Sequence, residues 1–434
     1  MAAPILNTPA QNNTQANYTS ALVALTSLFF MWGFLTSFND ILIPHLKSVF
    51  QLNFKQVMLV QSAFFIAYFA MSLPAGWVVS RFGYRKGILT GLGFAGIGAL
   101  LFYPAAVLVS YPMFLLALFV LASGITVLQV AANPYVAVLG PERTASSRLT
   151  LSQALNSLGH TLGPLVGAML ILGADALSND AMQKLPPADL LAYKTEQVNL
   201  VQVPYIGLAI ALLLLAGFMA VVKLPVIANV EDHGAANTKL SDALKHKGLV
   251  LAAIGIFVYV GAEVSIGSFL VNFFGQPHIG GLKEEEAGKL VSYYWLAAMI
   301  GRFAGSFIMQ KIQPAKALGI SAVAAMCLVI ATMLGSGQAA MVTIICVGLF
   351  NSIMFPTIFT LGINGLGKLT GQGSAVLVMS IVGGGVIPLL QGALADEYGL
   401  QIAFVIPLVC YAYIAWFAFR GQGSGYRGQH NQDI

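Results

Sequence analysis

Long apolar runs separated by short polar or charged breaks recur along the whole chain, beginning near Ala21, Val57, Gly87, Pro112, Leu149, Val201, Leu249, Ala287, Ala317, Ala340, Gly373 and Ile402. Each is about 20 residues long, the length a helix needs to cross a bilayer core, so the pattern predicts roughly twelve spanning helices. None alternates with the period of a barrel strand, so helices are predicted throughout. Two longer polar stretches interrupt the series. Leu177 to Asn199, with Pro186-Pro187, is expected to be a long outward loop, and Leu224 to Lys247 separates two hydrophobic blocks as an inter-domain linker would. The expected division is a tail over 1–20, an N-terminal half over 21–223, a linker over 224–247, a C-terminal half over 248–420 and a tail over 421–434.

The two blocks look like copies in the same orientation. Gln129 stands five residues before Pro134 and Asn351 five before Pro356, an offset of 222, while Leu139-Gly140 matches Leu366-Gly367 and Ser147 matches Ser374 at an offset of 227. Parallel six-helix repeats related by an axis along the membrane normal are a recurring transporter plan, with the substrate held near the midplane between them. The expected fold class is therefore an all-α membrane protein with twelve transmembrane helices in two six-helix pseudo-repeat halves.

Composition supports a membrane location. The chain is 58% hydrophobic and 9% charged over 434 residues, and its mean hydropathy of +0.81 excludes an ordinary soluble enzyme. With both termini placed in the cytoplasm, the inner connections hold Arg81, Arg85, Lys86, Arg143, Arg148, Lys223, Lys239, Lys245, Lys247, Lys311, Lys316 and Lys368, whereas the outer face holds only Lys47, Lys55, Lys184, Lys194, Lys283 and Lys289. That bias predicts both termini in the cytoplasm. The net charge of +5 then reflects topology, and no nucleic-acid partner is expected. The polar segment up to Asn17 has no Lys or Arg, so no signal peptide is expected there. Cys327, Cys346 and Cys410 lie in apolar spans without CxxC spacing and read as packing residues.

A few polar groups interrupt the spans. Asp40 lies in an otherwise apolar run from Leu28 to Pro44, and an acid there must meet a cation, a proton or a water-filled cavity. Glu263, in Gly261-Ala-Glu-Val-Ser-Ile-Gly267, is the other acid well inside a span. It serves either ligand or cation binding, or an ion pair or hydrogen bond to a neighbouring helix. Arg302 reads as a cytoplasmic-end anchor and His160 as a satisfied bundle histidine.

After the second span the chain reads Gly76-Trp-Val-Val-Ser80-Arg81-Phe-Gly83-Tyr-Arg85-Lys86, which resembles the loop signature of the major facilitator superfamily, with Ser80 where that signature has an acid. The resemblance implies a gating loop in which Gly76 and Gly83 permit close approach and Arg81 and Arg85 meet helix ends. Asn39-Asp40-Ile-Leu-Ile-Pro44, Leu128-Gln129-Val-Ala-Ala-Asn133-Pro134 and Arg148-Leu-Thr-Leu-Ser-Gln153-Ala-Leu-Asn156-Ser-Leu-Gly159 resemble the fucose permease and glucose/galactose transporter group within that superfamily, along essentially the whole chain. This implies a sugar importer working by alternating access, without a cofactor. Gln153 and Asn156 share one helix face, as do Gln129 and Asn133. Amides supply the donors and acceptors an uncharged polyol requires.

From the resemblance, Gln153, Asn156, Glu263, Asn133 and Asn351 are sugar-site candidates, each amide alternatively serving helix-to-helix hydrogen bonds. Asp40, Asn39 and Gln129 are cation-site candidates. In the fucose permease pattern the position of Gln129 is a glutamate that handles protons, so here Asp40 either carries the proton alone or joins neutral oxygens around sodium. The glucose/galactose branch implies sodium, and Asp40 is the candidate sodium ligand. The expected partners are a small sugar and membrane lipid, with the protein a monomer. The alternatives are proton symport of fucose or N-acetylglucosamine, and a metabolite antiporter suggested by Gly159-His-Thr-Leu-Gly163-Pro164-Leu-Val-Gly167. Gly362-Ile-Asn-Gly-Leu-Gly367-Lys368-Leu369 lacks the Ser or Thr of a P-loop, and the histidines have no metal spacing, so no enzyme chemistry is expected.

Overall fold

The computed structural model describes residues 19–50, 54–171, 185–222, 225 and 239–424, leaving out the side chains at 19, 20, 38–49, 54–59, 61, 164, 165, 167–171, 191, 284, 285 and 421–424. The N-terminal block contains α1 (Thr19–Phe50), α2 (Phe54–Leu100), α3 (Phe102–Val107), α4 (Tyr111–Val138), α5 (Ala145–Ile171) and α6 (Pro187–Val221). After a short α7 (Leu240–Leu244) come α8 (Lys247–Gly275), α9 (Glu284–Ile308), α10 (Pro314–Leu334), α11 (Gly337–Asn351), α12 (Met354–Ile363), α13 (Thr370–Met379), α14 (Gly383–Tyr398), α15 (Leu400–Ala403) and α16 (Val405–Ser424).

Breaks in these helices have local causes. Gly83 (φ 80, ψ 168) reverses α2 into two limbs, so this element crosses twice. In the second block the crossings are interrupted, α11 giving way to α12 after Asn351 and α13 to α14 across a short 3-10 turn. The described part of the expected loop over 177–199 is helical from Pro187 onward. Pro187 opens α6 with Asp189 in its first turn, and the polar stretch to Asn199 continues the helix as far as Val221. Proline pre-sets the first helical turn, so polarity alone misplaced this boundary. Within the expected linker, α7 carries an exposed Lys245–Asp242 pair at 2.8 Å that holds the Asp242 carboxyl below the usual carboxylate range.

Small residues set how closely the helices approach. A Cβ at Gly159 would sit 2.1 Å from the Phe30 carbonyl oxygen, and one at Gly33 2.0 Å from that of Asn156, so α1 and α5 touch backbone to backbone. Likewise Gly98 faces the Leu121 nitrogen at 2.3 Å and Gly124 the Ala95 nitrogen at 2.2 Å, which locks the second limb of α2 against α4. Such contact substitutes for the hydrophobic drive that lipid does not supply.

The blocks meet through α2 with α13, α4 with α13, and α5 with α9 and α12. A Cβ on Gly76 would lie 2.6 Å from the Ala375 Cβ, so the predicted gating glycine is a seam between the blocks. Ser146 Oγ lies 2.6 Å from Thr360 Oγ1, Ser147 donates to the Ser306 carbonyl at 2.5 Å, and Ser374 donates to the Val130 carbonyl at 2.9 Å. These contacts join the blocks at the end that carries the 140–144 and 364–369 connections, forming a floor. A cavity of about 880 Å³ opens at that same end, lined from both blocks by residues including Arg143, Ser146, Lys311 and Thr360.

Candidate functional site

On the N-terminal side, α5 presents Gln153, Asn156, Ser157 and His160 at helical spacing. Gln153 is nearly buried, and Asn156 Nδ2 donates to the Phe29 carbonyl at 2.9 Å, using the gap left by Gly33. One donor of Asn156 thus holds α1 against α5. On α4, Gln129 Nε2 donates to the Tyr68 hydroxyl at 2.5 Å, turning its carbonyl oxygen toward other partners. Asn133, one helical turn further on, is fully buried, and neither amide atom has a hydrogen-bond partner. Buried amides are normally satisfied, so Asn133 stands ready for a ligand or water.

On the opposite side, Glu263 of α8 faces Arg302 of α9 at 3.6 Å, with the two side chains 13% and 14% exposed. Arg302 reaches across to α5, where Nη1 donates to Ser157 Oγ. The expectation of an end anchor is corrected here: Arg302 lies inside the bundle, because its guanidinium can neutralise Glu263 and still bond across the block boundary. His160 Nδ1 lies 3.4 Å from Thr36 Oγ1 and its ring 6.2 Å from that of Trp295, so it too has neighbours in both blocks. Behind the ion pair, Asn351 Nδ2 donates to the Tyr294 hydroxyl at 2.8 Å, and Tyr259 and Tyr411 complete a buried polar layer. Glu263 Oε1, Arg302 Nε and Asn351 Oδ1 remain without hydrogen-bond partners.

Gln129, Asn133, Gln153 and Asn156 thus line one block, and Glu263 and Asn351 the other. Asn39 and Asp40 lie on α1, but their side chains fall outside the described residues, so the expected cation site has no described geometry. Among the described residues, the polar centre contains neutral donors and acceptors plus the internally compensated Glu263–Arg302 pair. This chemistry suits reversible binding of a neutral, hydroxyl-rich solute. Among the described residues no cluster of His, Cys, Asp or Glu could hold a metal, and no strand precedes Gly362 to make a P-loop.

A family model described as Major Facilitator Superfamily matches residues 22–381. The chain belongs to this superfamily. It is similar to the glucose/galactose transporter of Brucella abortus biovar 1 (strain 9-941), with 51% identity over 95% of this chain and 97% of that one. It is also similar to the L-fucose-proton symporter of Escherichia coli (strain K12), at 36% identity over 94% of each chain. Among solved structures, the major facilitator transporter FucP in the outward conformation matches with a TM-score of 0.87 and 35% identity, over 93% of this chain and 99% of that one. As a major facilitator protein this chain is a transporter, not an enzyme, and needs no cofactor.

The facilitator loop signature now has visible contacts. Arg85 donates to the Ala220 carbonyl in the last turn of α6, satisfying an orphaned helix-end acceptor. Arg81 instead lies over Trp77 at 5.4 Å and Phe82 at 5.7 Å, and Ser80 bonds its own helix at Trp77. Arg148, expected as a cytoplasmic-face cation at the head of the Arg148–Gly159 motif, is a further organiser. Its guanidinium donates to the carbonyls of Val136 (3.2 Å), Ala137 (2.6 Å) and Pro141 (2.8 Å) and to Thr144 Oγ1, tying the end of α4 to the start of α5. The signal for Arg302 was available: a cation six residues inside a span is subject to the same cost that singled out Asp40.

Proposed function

We propose that this transporter imports a hexose of the glucose/galactose type by cation-coupled symport, with sodium as the coupling ion, across a bacterial inner membrane. Arg302 of the Glu263–Arg302 pair bonding Ser157 of the other block, on the helix that also carries Gln153 and Asn156, supports this reading, because the arrangement offers a neutral sugar hydrogen bonds from both blocks. Gln153, Asn156, Asn133, Glu263 and Asn351 bind the sugar. Asp40, with Asn39 and the carbonyl oxygen of Gln129, takes the cation, and hard oxygen ligands suit sodium. Residues 21–223 and 248–420 rock about this site as a monomer, the linker and both termini lying in the cytoplasm. In this reading the floor at the 140–144 and 364–369 connections lies toward the cytoplasm, and its contacts between the blocks support an outward-facing state.

The similarity to the E. coli L-fucose-proton symporter keeps proton coupling as a second reading, with Asp40 as the proton carrier. Uptake of labelled glucose and galactose into proteoliposomes separates the two. With sodium replaced by choline at fixed pH, sodium symport predicts loss of accumulation, whereas proton symport predicts accumulation that follows the pH gradient. Absence of uptake of any hexose or amino sugar under either gradient would sink both.

A further inference from the structure

Ser147 and Ser374, matched by the internal repeat, each leave their own block and donate to a backbone carbonyl of the other. Neither acceptor is an ordinary helical carbonyl. Val130 lies four residues before Pro134, which has no N–H, so the intrahelical donor for the Val130 carbonyl does not exist. Ser306 lies at the end of α9, where the Gln310 N–H turns to Phe307 at 3.2 Å. Both serines are buried, Ser374 completely. A carbonyl without a donor is costly where water is excluded, so each serine supplies the closed floor with a bond that the helix itself cannot make.

We propose that Ser147 and Ser374 are a reciprocal pair of positioning residues that set the balance between the closed and open floor during transport. When the floor opens, both bonds break, and the two carbonyls must be solvated by water entering between the blocks. The Ser146–Thr360 contact adds to closure, but Thr360 also bonds back to the carbonyls of Pro356 and Thr357, so its hydroxyl keeps an acceptor when the blocks part. The Val130 carbonyl has no such alternative within α4, which makes Ser374 the stronger member of the pair. This inference rests on alternating access alone and not on the identity of the sugar or ion.

The test uses the full-length protein in nanodiscs, with Cys327, Cys346 and Cys410 replaced by serine and spin labels on R143C and K311C, which line the floor cavity from opposite blocks. Pulsed electron-resonance distances give the closed-to-open ratio without any substrate. S147A and S374A should each lower that ratio by roughly threefold to tenfold, the worth of one net hydrogen bond, and their effects should multiply in the double variant. S374T should restore the parent ratio. P134A returns an N–H to α4 that can reach Val130, so in that background S374A should change the ratio by less than about twofold. Distances in S147A and S374A that coincide with the parent would overturn the proposal, as would an undiminished effect of S374A beside P134A. If S374A does not fold, S147A decides on its own. Failed sugar uptake would leave these distances, and this proposal, unaffected.

Discussion

Removing one member of the Glu263–Arg302 pair should harm the protein more than removing both. At 3.6 Å, and with an effective dielectric constant of about 20, the Coulombic attraction amounts to about 4 to 5 kcal/mol before the cost of burying either ion. Both side chains are less than one-seventh exposed, so a charge left alone keeps most of its desolvation penalty. E263Q and R302Q should therefore each destabilise the fold by about 3–5 kcal/mol, the range for breaking a buried pair. E263Q/R302Q should unfold at a higher temperature than either single variant, because two neutral amides can hydrogen-bond across the same gap. Apparent unfolding midpoints of the purified proteins in detergent, at one scan rate, provide the ranking. A double variant as unstable as the sum of the singles would refute mutual neutralisation as the reason these charges are tolerated. Sugar transport should be lost in E263Q and in the double variant, since Glu263 is proposed to contact the substrate.

Outcomes for four further variants follow from other features of the chain. G159A drives a methyl group to 2.1 Å from the Phe30 carbonyl and should destabilise by about 1–3 kcal/mol. G217A, with nothing within 4 Å, should gain about 1 kcal/mol from helix propensity, and the two can be compared by unfolding midpoint. R148K keeps the charge but cannot span the carbonyls of Val136, Ala137 and Pro141 together, so its midpoint should fall by about 1–3 kcal/mol in equivalent stability. D40N should abolish gradient-driven accumulation while sugar exchange at equal concentrations persists, and cation-driven uptake equal to the parent would contradict the coupling role of Asp40.

Much of the architecture was legible because a bilayer leaves few options. Backbone groups must bond within helices there, so the spacing of apolar runs fixes the number of crossings without help from side-chain detail. The repeat was legible for a related reason: equivalent helices keep Pro134 and Pro356, and Ser147 and Ser374, in equivalent places. Boundaries were less legible. The polar start of α6 looked like a loop because a helix projecting beyond the lipid no longer needs apolar residues.

The sequence by itself determined a twelve-helix facilitator with acids and amides in its spans, since burying such groups in lipid is too costly without a role. Only the tertiary structure decided who meets whom. Arg302 and Glu263 are 39 residues apart and join through packing of α8 against α9, while Arg302 reaches Ser157 across the block boundary. Likewise, Pro134 announces a carbonyl without a donor, but no pattern along the chain names Ser374, 244 residues from Val130, as the side chain that satisfies it. Helices form from local hydrogen bonds and hydropathy, whereas a polar partner depends on the relative rotation and depth of helices that only their packing sets.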